Sequence, residues 1–186
     1  MKSLSRKLNG FVAAFCLWMG STFGAMADET RVDSLLEQLA APDQTDWEAI
    51  EAEIWKEWSR SGSDAMDVLL DRGRAAMEEG DWEAAIEHLT ALTDHAPGFA
   101  EGWNARATAY FNAGLLGPSM EDIERALILN PRHFGAMSGM ATILAELGYE
   151  QEALEMYRNA LAIHPHSPDL KQSADLLDSK VDGTEL

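Results

Sequence analysis

Two histidines near the C-terminus are the side chains of this chain that most directly suggest chemistry. His164 and His166 flank a proline, which keeps the pair out of a regular helix. Imidazole is a frequent zinc ligand, but zinc takes three or four ligands, and no cysteine or third histidine is near the pair in the sequence. We therefore expect ordinary loop histidines, with no bound metal and no cofactor.

Paired carboxylates such as Glu78 and Glu79 are the other candidates for chemistry. A catalytic acid or base needs a neighbour or a dry cleft that shifts its pKa, and these two lie on a predicted helix face with nothing to desolvate them. The sequence has no G-x-S-x-G elbow, no phosphate-binding glycine loop and no H-E-x-x-H motif. We expect a protein that is not an enzyme.

The charge of the chain limits its partners. The sequence has 32 acidic and 14 basic residues, a formal net charge of −18. So acidic a surface repels nucleic acid and anionic lipid headgroups. We expect no nucleic-acid partner, and basic or neutral partners are favoured.

The first 27 residues have the features of an export signal. A basic segment with Lys2, Arg6 and Lys7 precedes an apolar stretch at 11–19, which is short for a membrane span. Ala25-Met26-Ala27 then matches an A-x-A cleavage site. We predict a signal peptide over residues 1–27, cleaved after Ala27, with a periplasmic product that has no stable membrane insertion. An uncleaved N-terminal anchor is the alternative. The single cysteine lies inside this segment, so the mature chain would have no disulfide.

A 34-residue repeat organises the central part of the chain and would position its side chains. Three glycines and three prolines each recur at this interval: Gly80, Gly114 and Gly148, and Pro97, Pro131 and Pro165. Glycine can end a helix in the left-handed conformation, and proline stops a helix because it lacks the N–H group. A period of 34 with these residues indicates a solenoid of helix–turn–helix units.

The repeat resembles the tetratricopeptide repeat (TPR) family, including its alternating small and large columns. The small columns are Gly73, Ala107 and Ala141, and Ala85, Ser119 and Ala153. The resemblance implies an all-α fold, an α-solenoid of three repeats at 66–99, 100–133 and 134–167. The predicted helix pairs are 66–79 with 82–96, 100–113 with 116–130, and 134–147 with 150–164. The segment Ile50–Ser63 followed by the repeats also looks like a group of exported bacterial TPR proteins, a resemblance that covers about 46–167. This group implies a periplasmic location and no particular mechanism.

Helical segments flank the repeats on both sides. The extension at 28–65 predicts two helices, about 31–40 and 47–58. Trp47, Trp55 and Trp58 share one face of the second, so we expect them to pack against repeat one; an exposed interaction surface is the alternative. The segment 168–186 predicts a capping helix to about Asp178, followed by a frayed tail.

Two features inside the repeats give further expectations about packing. Trp103 should be buried between its own helix pair and the preceding repeat. Gly135 and Gly139 form a G-x-x-x-G motif, which in a soluble helix indicates close helix packing rather than dimerisation.

The candidate binding residues come from the TPR resemblance. In that family the first helix of each repeat lines a concave groove, and the groove columns here contain side chains that could bind a peptide backbone or fill apolar pockets. The alternative is a groove covered by the N-terminal helices. The family's carboxylate clamp needs Lys and Arg in these columns, and Arg74 is the one basic residue there, so we expect no binding of chaperone C-terminal tails. The candidates are Arg74, Met77, Asn104, Thr108, Phe111, Asn112 and Ser138.

These observations predict a non-enzymatic periplasmic scaffold that binds a protein or peptide on its concave face. The alternative is a self-assembling structural protein of the cell envelope. It would use its end faces or its tryptophan-rich N-terminal helices.

Overall fold

The computed structural model describes residues 31–184, and the predicted signal peptide lies outside this range. All regular secondary structure between residues 31 and 184 is α-helical, and each repeat contributes one antiparallel helix pair. The helices are α1 (31–39), α2 (Trp47–Trp58), α3 (Asp64–Glu78), α4 (Trp82–His95), α5 (Ala100–Asn112), α6 (Leu116–Leu129), α7 (Phe134–Glu146), α8 (Glu150–Ile163) and α9 (Pro168–Thr184).

The six repeat helices begin and end within two residues of the sequence prediction. The glycines that end α3, α5 and α7 have φ of 76°, 76° and 84°, the left-handed region in which a side chain is strained. The predicted all-α solenoid is confirmed, and local turn chemistry accounts for the bounds of its helices.

The small columns let the two helices of each repeat approach closely. A Cβ built on Gly73 would lie 2.5 Å from Cγ of Leu89, so α3 and α4 meet where only hydrogen fits. In repeat two, Ser119 is fully buried, and its hydroxyl donates to the carbonyl oxygen of Ala107 at 2.8 Å. Ala141, which is equivalent to Gly73 and Ala107 in repeat three, is fully buried.

A half-buried arginine joins repeats one and two. Arg106 of α5 donates from Nε and Nη2 to the two carboxylate oxygens of Asp122 on α6, at 2.7 and 2.8 Å. Its Nη1 donates to the hydroxyl of Thr93 on α4, also at 2.8 Å. The adjacent Asp122 carboxylate raises the pKa of Arg106, which stays charged. The guanidinium therefore fixes three helices relative to one another.

The N-terminal helices pack on repeat three, and the prediction of repeat one is wrong. Leu36, Leu39, Ile54 and Trp58 share a buried cluster with residues of α7, α8 and α9, including Phe134 and Leu170. The array curves far enough for its last repeat to meet the N-terminal segment. Repeat three also supplies the aromatic partner, because Phe134 occupies the position held by Met66 and Ala100 in the other repeats.

Trp103 is half-buried, so the expectation of a buried side chain is wrong. Its indole N–H donates to the carbonyl oxygen of Pro97 at 3.1 Å. The guanidinium carbons of Arg106 and Arg125 lie 4.9 and 5.9 Å from the ring centroid. The indole thus supports two cations at the edge of the core, an arrangement that its apolar character alone does not predict.

The final helix is longer than predicted. It continues past Asp178 to Thr184, and Val181 is half-buried against the same cluster as Leu170, Ala174 and Leu177. These four residues recur every three or four positions, so the apolar stripe extends one turn further than the prediction allowed. Between residues 31 and 184, no helix combines the length and apolar character needed to cross a membrane.

Candidate functional site: the concave groove

The N-terminal segment occupies part of the concave face. The Asp67 carboxylate on α3 accepts hydrogen bonds from the backbone N–H and the hydroxyl of Ser61, at 2.8 and 2.5 Å. Arg74, two turns further along α3 and on the same side, donates to the hydroxyl of Ser59 at 3.0 Å. On α7 the groove residue Gly135 lies directly beneath the ring of Trp55. Groove positions in repeats one and three are therefore already in contact with the chain itself.

A buried carboxylate organises this covered part of the groove. Glu101 is 4% exposed, and one of its oxygens lies 2.6 Å from Nη2 of Arg74. Its other oxygen accepts from Nε2 of His133 at 2.9 Å and from Nδ2 of Asn104 at 3.0 Å. Nδ1 of His133 accepts the N–H of Ala136, so the ring hydrogen is on Nε2. Because Arg74 forms an ion pair with Glu101, this arginine is not available to bind an anionic ligand.

Aromatic rings from α2 close over this network. The ring of Trp58 stacks on His133, with centroids 4.4 Å apart and 21° between the planes. Trp55 meets Phe134 edge-on at 5.3 Å and Trp58 edge-on at 5.4 Å. His133 is completely buried as a result. His133 is the N-cap residue of α7 and lies beneath these tryptophans.

His164 is also buried rather than exposed on a loop. It is 1% exposed, between the rings of Trp47 and Phe134 at 5.5 and 5.2 Å. Neither ring nitrogen makes a hydrogen bond of ordinary geometry, and the nearest carboxylate oxygen, of Glu51, is 3.5 Å from Nε2. Burial lowers the pKa of His164; Glu51 opposes this shift, whereas His166 and Lys171 add to it weakly.

His166 has a different role from its neighbour. Its Nε2 donates to the carbonyl oxygen of Ala41 at 2.8 Å and ties the end of repeat three to the loop between α1 and α2. Within the described residues, no three histidine, cysteine or carboxylate side chains lie together as a metal site would require. The two histidines serve packing in this structure.

An apolar pocket remains open between α5 and α7. Its volume is about 140 Å³. The hydroxyls at its rim are satisfied locally: Thr108 donates to the carbonyl oxygen of Asn104 at 3.0 Å, and Thr142 bonds to the hydroxyl of Tyr157 at 2.9 Å. Because these hydroxyls already have hydrogen-bond partners, an apolar side chain can enter the pocket without supplying one. The lining consists of Asn104, Ala107, Thr108, Phe111, Ser119, Ile123, Gly135, Gly139, Thr142 and Ile143.

Comparison with known proteins agrees with this geometry. The tetratricopeptide repeat family model matches residues 70–117. A TPR repeat-containing protein of Rhizobium etli is 38% identical over 156 residues, which span 82% of this chain and 76% of the relative. The chain belongs to the TPR family.

Solved TPR structures share the fold at low sequence identity. The Sgt2 TPR domain from Aspergillus fumigatus has a TM-score of 0.63 and 23% identity, over 66% of this chain and 83% of that one. The first TPR of Spaghetti (RPAP3), bound to the HSP90 peptide SRMEEVD, has a TM-score of 0.61 and 22% identity, over 63% and 93% of the two chains. At these identities the likeness concerns the TPR fold alone.

The seven predicted TPR groove residues have different environments. Asn104, Thr108 and Phe111 line the pocket together. Arg74 is held by Glu101, and Met77 packs half-buried against the core of repeat one. The remaining two, Asn112 and Ser138, are not part of the pocket wall: Asn112 donates to the carbonyl oxygen of Thr108, and the carbonyl oxygen of Ser138 accepts from Thr142.

Sequence reasoning missed the residues that create the pocket. The sequence predicts that Gly139 serves helix packing, whereas its missing side chain leaves space that the pocket occupies. The signal was available in the sequence, because Gly135 and Gly139 put two glycines on one face of a TPR first helix. Ile123 and Ile143, which complete the wall, are ordinary core residues that only the three-dimensional arrangement assigns to the pocket.

Proposed function

We propose that this TPR protein is a non-enzymatic scaffold that binds a polypeptide on its concave face. One apolar side chain of the partner would enter the pocket between α5 and α7. The observation that carries the proposal is the pocket itself, an apolar cavity in a part of the TPR groove that the N-terminal helices leave open. The RPAP3 TPR domain bound to an HSP90 peptide supports a peptide as the class of ligand.

The pocket suits an internal segment of the partner better than its C-terminus. A terminal carboxylate needs a free cation, and Arg74, the groove cation among the described residues, is paired with buried Glu101. Burying one Leu or Phe side chain contributes roughly 1.5–3 kcal/mol, so the partner must make further contacts along the groove. Thr108 and Asn104 line the pocket, and their side chains can contact the backbone of the bound partner.

Exposed acidic residues of the groove favour a ligand with basic residues on either side of the inserted apolar one. Glu78 and Glu146 occupy one groove column at the ends of α3 and α7, and both side chains are exposed. Lys or Arg next to the inserted residue would complement them, and the acidic character of the whole chain acts in the same direction. The proposed ligand is therefore an apolar residue flanked by basic ones.

The tryptophan-rich helices do not favour the self-assembly alternative. Trp58 is 9% exposed, and each of the three tryptophans of α2 makes a ring contact with Phe134 or His164 of repeat three. Their surface is therefore used within the chain. Electrostatic repulsion between copies with a net charge of −18 also opposes self-association.

A substitution inside the pocket tests the proposal. Gly139→Ala places a methyl group 3.4 Å from Cδ1 of Ile123, an ordinary contact, and it reduces the cavity. Gly117→Ala is the matched control, because a Cβ there has no neighbour within 4 Å. The probe is the blocked peptide Ac-Lys-Lys-Leu-Lys-Lys-NH2, titrated into isotope-labelled protein and followed by NMR.

We expect saturable shifts at Asn104 and Thr108, with binding at least about tenfold weaker for Gly139→Ala, a loss of about 1.4 kcal/mol. Gly117→Ala should bind like the wild type. Equal binding by the two variants would overturn the proposed site.

We also propose that the protein acts in the periplasm after cleavage behind Ala27. The basic and apolar N-terminal pattern supports this location. N-terminal sequencing of protein released from the periplasm should begin at Asp28. Retention of Met1 on a membrane-bound product would contradict cleavage.

A further inference from the structure

The turns between paired helices differ among the three repeats. In repeat one, Asp81 caps α4, and its carboxylate accepts the N–H of Ala84 at 3.0 Å. The equivalent residues before α6 and α8 are Leu115 and Tyr149, and neither helix has a side-chain cap. Asp and Asn are among the most favourable residues at this position, and Leu is among the least favourable. Repeats two and three therefore forgo a stabilising cap at the same place.

The residues that replace the cap are exposed. Leu115 is 45% exposed and Tyr149 is 53% exposed. Leu147, the C-cap residue of α7 at the turn of repeat three, is 47% exposed. Single apolar residues on a surface need no explanation, but here three lie along one edge of the solenoid, at turns where polar residues would stabilise the fold. We call this surface the turn edge.

A cleft next to Leu115 gives the turn edge a concave element. It has a volume of about 510 Å³ and lies between the turns of repeats one and two. Apolar side chains form most of its wall, and no salt bridge in the described part of the chain uses the carboxylates of Asp81 or Glu83 at its rim. The lining of the cleft includes Asp81, Trp82, Glu83, Ile86, Ala113 and Leu115.

We propose that the turn edge is a second docking surface, for a polypeptide that presents Arg or Lys beside an apolar residue. The cationic side chain enters the cleft, where its stem covers Trp82 and its charge meets Glu83 and Asp81. The apolar residue packs on Leu115. This surface lies outside the concave groove and does not depend on the function proposed for the groove.

Charge decides between the possible occupants. A second copy would place its own Asp81 and Glu83 against those of the first, in a chain whose net charge is −18. An anionic lipid surface is repelled for the same reason. A basic and apolar polypeptide complements both the carboxylates and the exposed Leu115.

The test follows the indole N–H of Trp82 by NMR in the full purified chain. The probe is Ac-Arg-Leu-Arg-Leu-NH2, and Ac-Glu-Leu-Glu-Leu-NH2 is the charge-reversed control. We expect a saturable shift with the basic peptide and none with the acidic one. Equal shifts with both peptides, or basic-peptide shifts confined to Thr108 and its groove neighbours, would overturn the proposal.

Leu115→Asn separates docking from folding. Asparagine restores a favourable cap without adding charge, so the midpoint of unfolding should stay equal or rise, while binding weakens at least about fivefold. Glu83→Gln should weaken binding and reduce its dependence on salt. Gly139→Ala, which alters the groove, should leave the Trp82 response unchanged, so failure of one site is distinguishable from failure of the other. Wild-type binding by Leu115→Asn would refute the turn edge, as would a dimer that this substitution abolishes.

Discussion

Alanine at Gly135 should weaken the docking of the N-terminal helices. A Cβ at this position would lie 2.5 Å from Cη2 of Trp55 and 3.1 Å from Cζ2, closer than side chains approach. The ring cannot easily move aside, because its N–H donates to Glu51 at 3.2 Å and it packs edge-on with Trp58 and Phe134. Either the indole or α7 must shift.

The magnitude follows from two opposing terms. Replacing glycine by alanine inside a helix stabilises it by up to about 1 kcal/mol. Overfilling a packed site costs about 1–3 kcal/mol. We expect Gly135→Ala to lower the free energy of unfolding by about 1–2 kcal/mol, measured by urea denaturation with tryptophan fluorescence and circular dichroism.

Gly139→Ala is the matched control on the same helix. Its Cβ meets Cδ1 of Ile123 at 3.4 Å, so the helix-propensity term should dominate and stability should be unchanged or higher. In a Trp55→Leu background the cost of Gly135→Ala should largely vanish, because the opposing ring is gone. If Gly135→Ala were as stable as Gly139→Ala, or if its cost persisted without the indole, the contact with Trp55 would not be what restricts this position.

Three further changes test other contacts. Arg106→Met leaves the carboxylate of Asp122 buried without its two donors and should cost about 3–5 kcal/mol in urea unfolding, whereas adding Asp122→Leu should recover most of the loss. Trp103→Ala should cost about 1–3 kcal/mol, less than the roughly 3–5 kcal/mol of a fully buried tryptophan, and a cost in that higher range would contradict its half-buried position. Burial lowers the pKa of His164 below its ordinary 6.5, so its contribution to stability is complete above that pH and decreases as the pH falls below it. Urea unfolding at about pH 7.5 and about pH 5.5 should show a larger acid loss for the wild type than for His164→Phe, and parallel losses would refute this role.

The sequence predicts the solenoid well because its rules are local. Gly80 and Pro97 each affect the backbone within one turn, and the 34-residue repetition confirms each boundary three times. The length of α9 was underestimated because the prediction stopped at Asp178, before the last apolar residue of the stripe, Val181. Errors of this kind are confined to the ends of helices.

The packing partner of α2 could not be found by local rules. Three tryptophans on one face predict burial, but any apolar surface could satisfy them. That α2 packs on repeat three depends on the curvature of the whole array. This curvature brings α2 next to the rings of His133 and Phe134. Gly135 leaves space for Trp55, and this complementarity connects residues that are far apart in the sequence.

The contact between the first helices and the last repeat also bears on the order of folding. In an open solenoid each repeat touches only its neighbours, so folding can begin anywhere and spread along the chain. Here α1 and α2 are made first, yet the surface that covers Trp58 includes Phe134 and Leu170, which are made much later. Closing so long a loop slows folding and makes the unfolding of distant parts interdependent. Because the chain is synthesised from its N-terminus, the tryptophan-rich pair α1 and α2 stays uncovered until the third repeat is complete. In that interval the chain is most exposed to chaperone binding or to aggregation.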